Sequence, residues 1–339
     1  MGYKNKKYSK SLHQQMYDTL VGMQAFGESR REAKKNGTDR NKIFSFKTFQ
    51  VYKEHCQYFI RFIKSNHPEC KNLRQARKYI REWLQTRVDQ GLSAWTISTE
   101  MSALSKLYGI HPGDPDYFTC PKRCRENIKR SRDGGKRRFS EKNNAELVAF
   151  CKSCGTRRSE LLKLKGKDLI TIEYITKEAH RLTELSKYRA LSKSESADLR
   201  LYKDAMLFTG SQYFINIRRS KGGRDRISPL IGPDIDRVVT RFREIAPDEK
   251  VWLSVSSNAD IHHYRSDYCT KLYRMIARPI ENIPYNRTSR SGKRYQGDVV
   301  FCRRDERGRK LDRNALLLCS KALGHNRISV VSEHYLRGI

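Results

Sequence analysis

The chain lacks the motifs by which many enzymes recruit a metal ion or a nucleotide. It contains no HExxH sequence, no DxD-type carboxylate cluster and no P-loop. It also has no apolar run approaching the roughly 18 residues that a membrane-spanning helix needs, and no signal peptide opens it. We therefore expect neither a membrane protein nor an enzyme that depends on a metal or ATP, and we expect no cofactor.

Acidic residues are scarce relative to basic ones. The 339 residues include 70 Lys and Arg but only 37 Asp and Glu, which gives a formal net charge of +33. So large an excess of one sign repels itself, and its spread along the whole chain predicts a large surface for nucleic acid. With 37% hydrophobic residues the chain is expected to fold, and its length allows two domains.

The nine cysteines are an odd number without a secretory signal, so we interpret them as reduced cytosolic thiols. Cys120 with Cys124, and Cys151 with Cys154, have the spacing of a four-thiolate zinc site. The alternative is that Cys151 packs as a small apolar residue on a helix face. No histidine or further thiol supports zinc locally, so packing is the favoured interpretation.

Helical periodicity dominates the N-terminal part of the chain. Residues 1–43 are strongly basic and contain one weak helical stripe with Leu12 on its apolar face. Residues 44–125 contain three stronger stripes, and the second is predicted to begin after Asn72 and to stop at Gly91. These residues predict a small all-helical domain whose basic outer faces lie on DNA phosphates.

A basic stretch with two glycines at residues 126–138 predicts a flexible linker. Residues 139–339 then mix helices with a predicted β-hairpin, "YFINIRRSKGGRDRISPL". Residues 171–210 look helical, with "KSESAD" as a break, and residues 279–310 suggest a basic flap or hairpin. The predicted fold class is mainly α with a small antiparallel sheet in the second domain.

Breaking a DNA phosphodiester without a metal requires fixed cations, a nucleophile and an acid. Arginine meets the charge that gathers on the non-bridging oxygens, because it is permanently charged and presents a planar fork of donors. The chain has arginines and histidines in short structured motifs, and Tyr335 lies four residues before the last residue. A phenol with an ordinary pKa of about 10 needs a cationic pocket and a base to attack at neutral pH.

Three motifs resemble, in the family's own order, the catalytic boxes of tyrosine recombinases (the phage integrase family). "GTRRSELLKLKGKDL" resembles the first arginine box, "HHYRSDYCTKL" the H-x-x-R box, and "LGHNRISVVSEHYL" the final box of histidine and tyrosine. The helical domain at 44–125 is similar to the family's core-binding domain. The resemblance spans residues 44–339 and implies a site-specific DNA recombinase or integrase, expected to belong to a mobile element.

The resemblance implies roles for three residues around the first box and the hairpin. Arg157 matches the first catalytic arginine, and Glu160 matches a supporting acidic position that orients arginine or histidine groups. Lys221, in the hairpin turn, matches the catalytic lysine that protonates the leaving 5′ oxygen.

It implies roles for four residues in the other two boxes. His262 and Arg265 match the H-x-x-R pair, and their i,i+3 spacing places them on one helix face. The neighbouring arginine should keep the imidazole of His262 neutral, as a proton acceptor from tyrosine must be. His325 matches the histidine that donates a hydrogen bond to the scissile phosphate, and Tyr335 matches the nucleophile.

Three neighbours of these residues are assigned no role. Arg158 is interpreted as part of a solvated basic face, and His334 should point away from Tyr335 on a helix. His263 is rejected as the box histidine, because Ser266 would then occupy the arginine position.

The chain departs from the family pattern in three places. Residues 171–210 and 279–310 are longer than the family's equivalents and are expected to bind DNA or a partner. The second of them contains Arg303, an alternative to Arg265 as the second arginine. Because so little follows Tyr335, either another element controls contacts between subunits or the tyrosine segment itself is exchanged.

For partners, the resemblance implies double-stranded DNA, a homo-tetramer on two DNA sites, and an accessory DNA-bending or directionality protein. The two domains would clamp the duplex from opposite sides, in the bacterial cytoplasm or nucleoid. Strands would be cleaved through a 3′-phosphotyrosyl bond and exchanged through a four-way junction. The alternatives are a type IB topoisomerase-like enzyme or telomere resolvase of the same chemistry, and a catalytically inactive DNA-binding relative.

Overall fold

The computed structural model describes residues 10–124, 139–220, 223–302, 307–336 and 339. The chain divides into two units, residues 1–131 and 132–339. The predicted linker at 126–138 lies outside the described residues. The domain boundaries drawn from the sequence therefore stay predictions.

The described part of the first unit is helical, as the periodicity predicted. Asn72 begins the second predicted helix through a capping box with Gln75. A 3₁₀ turn at Arg77–Tyr79 then divides that helix into two, which the sequence pattern did not predict. The helices are α1 (Leu12–Gly22), α2 (Arg30–Lys35), α3 (Phe46–Asn66), α4 (Leu73–Ala76), α5 (Ile80–Asp89) and α6 (Ala94–Tyr108).

The basic N-terminal segment is packed into this unit from residue 10 onward. Leu12, Met16 and Leu20 form the buried face of α1, which confirms the weak helical stripe. They share one core with Ile43 and with the apolar faces of α3, α5 and α6. Residues 10–43 are thus part of the helical unit, because their apolar side chains complete its core.

The second unit is mostly helical with small antiparallel sheets, in agreement with the predicted fold class. Its strands are β1 (Leu169–Thr171), β2 (Tyr213–Ile217), β3 (Arg226–Pro229), β4 (Arg287–Thr288), β5 (Arg294–Tyr295), β6 (Val299–Phe301) and β7 (Lys310–Asp312). Its helices are α7 (Ala145–Cys154), α8 (Arg158–Leu161), α9 (Ile172–Tyr188), α10 (Lys193–Ala205), α11 (Ile235–Arg243), α12 (Ile261–Ile276), α13 (Arg313–Leu323) and α14 (Ile328–His334).

The predicted hairpin is present as β2 and β3, which pair antiparallel with Ile217 opposite Arg226. Strand β1, which the sequence did not predict, adds to the other edge of β2. The described residues from 279 to 312 form two further antiparallel pairs, β4 with β5 and β6 with β7. The described part of this segment is therefore folded into strands, in line with the predicted hairpin.

The break within residues 171–210 lies earlier than predicted. "KSESAD" was expected to interrupt the helices, but it forms the first turns of α10. Ser192 accepts a hydrogen bond from the backbone N–H of Glu195, whose carboxylate accepts from the backbone N–H of Ser192. This capping box starts α10 at Lys193, so the break is the short stretch between α9 and Ser192.

Helix α12 joins the two hydrophobic cores of the second unit. Its residues Tyr268, Cys269 and Leu272 pack in one core, and Ile261 and Tyr264 pack in the other. A helix buried on two sides has little freedom to rotate or slide, because interiors are close-packed. The side chains that α12 projects between the cores are therefore held at fixed positions.

The cysteine pair on α7 is buried. Cys151 and Cys154 lie in the core of the second unit, as expected of small apolar residues. Across the described ranges, no cluster of three or more His, Cys, Asp or Glu side chains has a geometry that could hold a metal ion. None of the described helices combines the length and the apolar character that crossing a membrane requires.

Candidate active site

Arg157 lies at the start of α8, directly after a turn that only glycine fits. Gly155 ends α7 in the left-handed region at φ 59°, and a Cβ there would overlap the ring of Tyr268. Arg157 then takes an extended conformation as the N-cap residue of α8. Its Nη2 donates to the carbonyl oxygen of Leu323 at 3.2 Å, which ties the first motif to the end of α13.

Glu160 is the buried centre of an ion-pair network. Its carboxylate accepts from Arg157 Nη1 at 2.7 Å and from Arg226 Nη1 and Nη2 at 2.7 and 2.8 Å. The hydroxyl of Ser220 donates to the same carboxylate and accepts from Arg157 Nη1 at 3.0 Å. Burial alone would raise the pKa of Glu160, but the hydrogen bonds and charge of Arg226, with the charge of Arg265, hold this pKa well below its ordinary value.

Arg226 is a site residue that the sequence analysis missed. It lies on β3 with only 2% of its surface exposed, and it makes a two-pronged ion pair with Glu160. The signal available in the sequence was an arginine in the second strand of the predicted hairpin, and the structure buries all four positions of that strand. A carboxylate is one group that compensates the charge of a buried arginine, and Glu160 was the acid already marked in the first motif.

Arg158 is not part of a solvated face, as the sequence analysis had assumed. Its Nη2 donates to the carbonyl oxygens of Ser257 and Ala259 at 3.2 and 2.7 Å. Its Nη1 donates to those of Val255, at 3.1 Å, and Ser256. Five guanidinium donors suit this task, because a loop that leads into a helix leaves several carbonyls in need of partners. Arg158 therefore fixes the loop that leads into α12.

Arg265, on α12, is almost completely buried. Its Nη1 donates to the carbonyl oxygen of Gly155 and its Nη2 to that of Leu323. Its Nε donates to the phenol oxygen of Tyr335 at 3.3 Å. Burial and the positive charges of Arg226 and Arg157 lower the pKa of Arg265 to about 10, so it is still a cation at neutral pH.

Tyr335 lies at the C-terminal end of α14, with only 5% of its surface exposed. Its ring stacks on the imidazole of His262, with centroids 5.2 Å apart and planes 10° apart. The imidazole of His325 lies on another side at 5.2 Å, tilted by 49°. The final motif and the H-x-x-R motif are thus brought together around one phenol.

His325 follows a glycine that ends α13. Gly324 has a φ of 67°, so the chain turns there without the strain that a side chain would add. The Nε2 of His325 is buried and has no hydrogen-bond partner among the described residues. Burial and the charges of Arg265, Arg157 and Arg226 lower the pKa of His325 to about 3, so the imidazole is neutral at physiological pH.

These side chains surround an open cleft of about 460 Å³. Three arginines in the lining and an imidazole nitrogen without a partner among the described residues suit an anion with several oxygens, such as a phosphate diester. Among the site residues predicted from the sequence, Glu160 does not line the cleft but forms an ion pair with Arg157, which does. Lys221 and the alternative Arg303 lie outside the described residues. The cleft is lined by Arg157, Arg158, Ala259, Asp260, Ile261, His262, Arg265, His325 and Tyr335.

Residues 39–110 match the family model of the phage integrase N-terminal SAM-like domain. This match confirms the predicted resemblance of the helical unit to a domain of tyrosine recombinases and integrases. No curated protein sequence matches the chain. Among solved structures, the chain is similar to the Tn1549 transposon integrase in complex with circular intermediate DNA, at 12% identity over 96% of each chain, with a TM-score of 0.34. So low a TM-score does not establish a shared fold.

Proposed function

We propose that this protein is a site-specific DNA recombinase or integrase in which Tyr335 attacks a DNA phosphate. The observation that carries the proposal is the phenol oxygen of Tyr335, which lies 3.3 Å from Arg265 Nε in a cleft that also presents Arg157 and His325. An arginine-rich cleft with a nucleophile at its wall is suited to a phosphodiester. The integrase-type N-terminal domain supports the same function.

In the proposed reaction, a DNA phosphate occupies the cleft with its non-bridging oxygens facing Arg157 and Arg265. The Tyr335 oxygen forms a bond to phosphorus as the bond from phosphorus to the 5′ oxygen breaks, which leaves a 3′-phosphotyrosyl bond and a 5′-hydroxyl. His262 accepts the phenol proton, and the resemblance assigns Lys221 to protonate the leaving oxygen. Neutral His325 has an N–H to donate to the phosphate, as the transition state gathers charge.

Rejoining is the reverse reaction with the 5′-hydroxyl of a partner strand. The number and type of phosphoester bonds are conserved, so the scheme needs no ATP, and arginines take the place of a metal. By resemblance, four subunits would hold two DNA sites and pass through a four-way junction, with each duplex clamped between the two domains. The two insertions would contact DNA or a partner protein.

The proposal is tested by covalent trapping on DNA. Selection from a randomised duplex library first identifies a binding site, and a nicked version of that site then traps the cleaved state, in the presence of EDTA. We expect a protein–DNA adduct on a denaturing gel with the wild type and none with Tyr335→Phe. Tyr188→Phe is the matched control, because Tyr188 is 85% exposed at the end of α9.

The absence of a wild-type adduct on the selected site, or an undiminished adduct with Tyr335→Phe, would contradict the proposed chemistry. Strand exchange between two separate duplexes then separates a recombinase from a topoisomerase-like enzyme or a telomere resolvase, which share the covalent step but not the exchange. DNA binding without any adduct would identify an inactive relative.

A further inference from the structure

The β4–β5 hairpin stands out because almost nothing in it is buried. We call residues 285–295, which comprise β4, β5 and their flanking and connecting residues, the basic hairpin. Both residues of β4 and both residues of β5 are exposed, so neither face of this hairpin packs on a core. Tyr285 and Tyr295 are also exposed, by 55% and 42%. Two-stranded hairpins without a packed face are marginally stable in water, so this one needs local fixation.

The hairpin is fixed at its base. Gln296 Nε2 donates to the carbonyl oxygens of Ile280 and Ile283 at 2.8 and 2.6 Å. The backbone N–H of Gly297 donates to Asn286 Oδ1 at 2.9 Å. At the tip, the backbone N–H of Ser289 donates to the carbonyl oxygen of Lys293 at 2.8 Å and closes the turn. The hairpin is therefore presented as a defined element.

The charge of the hairpin is of one sign only. No acidic residue occurs between Glu281 and Asp298. None of the hairpin's cations makes an ion pair with another described residue, in contrast to many arginines and lysines elsewhere in the unit. These cations are Arg287, Arg290, Lys293 and Arg294.

The other insertion neutralises its own charge. On α9, Arg181 pairs with Glu178 at 2.8 Å and Lys187 with Glu184 at 2.7 Å. Arg189, directly after α9, pairs with Glu195 at 2.6 Å. A cation that already has a carboxylate partner gains less from a phosphate, because the existing pair must be broken. The two insertions thus differ in their readiness to bind a polyanion.

We propose that the basic hairpin is a DNA-binding element that holds the sugar–phosphate backbone of a duplex, and that the α9–α10 insertion is not. The inference rests on the proposed function, which makes DNA the substrate. Arg287, Arg290, Lys293 and Arg294 contact phosphates, and the two exposed tyrosines lie against sugar and phosphate groups. Contacts of this kind hold the duplex without reading its sequence.

The test measures how duplex binding depends on salt. Three proteins bind one mixed-sequence duplex over a series of salt concentrations: the wild type, a hairpin variant and a matched control. The hairpin variant carries Arg287→Gln, Arg290→Gln, Lys293→Gln and Arg294→Gln. The control carries Lys177→Gln, Arg181→Gln, Lys187→Gln and Arg189→Gln, which remove the same net charge from α9 and the residue that follows it. Circular dichroism checks that all three are folded.

We expect the salt slope of the hairpin variant to fall by roughly 0.9 for each phosphate that it no longer neutralises, and the slope of the control to stay near the wild-type value. Replacing the three hairpin arginines by lysine should retain the slope, since lysine also neutralises a phosphate. An unchanged slope in the hairpin variant, or equal decreases in both variants, would overturn the inference. Those results leave the adduct assay untouched, so the proposed function and this inference can fail separately.

Discussion

The hydroxyl of Ser266 donates a hydrogen bond of 2.5 Å to the backbone carbonyl oxygen of Tyr335. Thr270, one turn further along α12, donates to the same oxygen at 3.3 Å. The same helix carries His262 and Arg265, so one rigid element holds the candidate phosphate-binding groups and the main chain of the candidate nucleophile. The position of the phenol relative to Arg265 is thus set by α12 as well as by α14.

The first prediction concerns this hydrogen bond. Ser266→Ala should lower the rate of adduct formation by about tenfold to a hundredfold, because a displacement of the nucleophile by about an ångström is costly. The affinity for duplex DNA should not change, since Ser266 is buried and does not line the cleft. Single-turnover cleavage on a nicked substrate and a binding titration measure the two quantities separately.

Ser332→Ala is the matched control for this prediction. Ser332 is also a buried serine near the tyrosine, but its hydroxyl donates to Ser329 within the same helix. This control should cleave at close to the wild-type rate. If both serine variants lose the same activity, or if Ser266→Ala lowers DNA affinity instead of the cleavage rate, the positioning role of Ser266 is wrong.

A second prediction follows from the four carbonyl oxygens that Arg158 binds. Arg158→Ala should lower the free energy of unfolding by roughly 1–3 kcal/mol, because several loop carbonyls are left without a charged donor. Lys163→Ala, an exposed neighbour on the same segment, should cost less than about 0.5 kcal/mol. Urea denaturation of both variants measures the difference. If the Arg158→Ala and Lys163→Ala variants are equally stable, Arg158 is an ordinary surface cation and does not hold the loop.

Much of the site could be predicted from sequence because its residues lie in short motifs with their own local structure. Arg157 begins a helix after a left-handed glycine, and His325 follows another such glycine. His262 and Arg265 lie one turn apart on a helix, as the i,i+3 spacing of their motif predicted. The structure brings these four residues and Tyr335 to one cleft.

The residues that were missed act through contacts between distant parts of the chain. Arg226 meets Glu160 across 66 positions, and Ser266 meets Tyr335 across 69. Nothing in the local pattern around Arg158 distinguishes a surface cation from one that holds a loop about 100 positions away. Sequence spacing predicts which face of an element a residue occupies, but it does not predict what that face meets.

A third prediction concerns the buried pair of Arg226 and Glu160. Arg226→Met should lower the free energy of unfolding by roughly 3–5 kcal/mol, because it leaves a buried carboxylate with less compensation. Arg226→Met combined with Glu160→Gln should cost less than the sum of the two single changes. A double-mutant cycle by urea denaturation measures this coupling. Additive costs would mean that the two side chains are not energetically paired.

The last prediction concerns the effect of His325 on the stability of the protein at acidic pH. Burial and the surrounding arginines lower its pKa from 6.5 to about 3. Between these values the unfolded chain binds a proton that the folded chain does not, so this histidine reduces the free energy of unfolding as the pH falls from 6.5 towards 3. His325→Gln removes that contribution, and the variant should therefore lose less stability than the wild type between about pH 7 and pH 4.5. Urea denaturation of both proteins at the two pH values measures the difference. If the free energy of unfolding falls equally in the two proteins, the imidazole of His325 is protonated in the folded state as readily as in the unfolded chain. The cationic character assigned to the cleft would then be wrong.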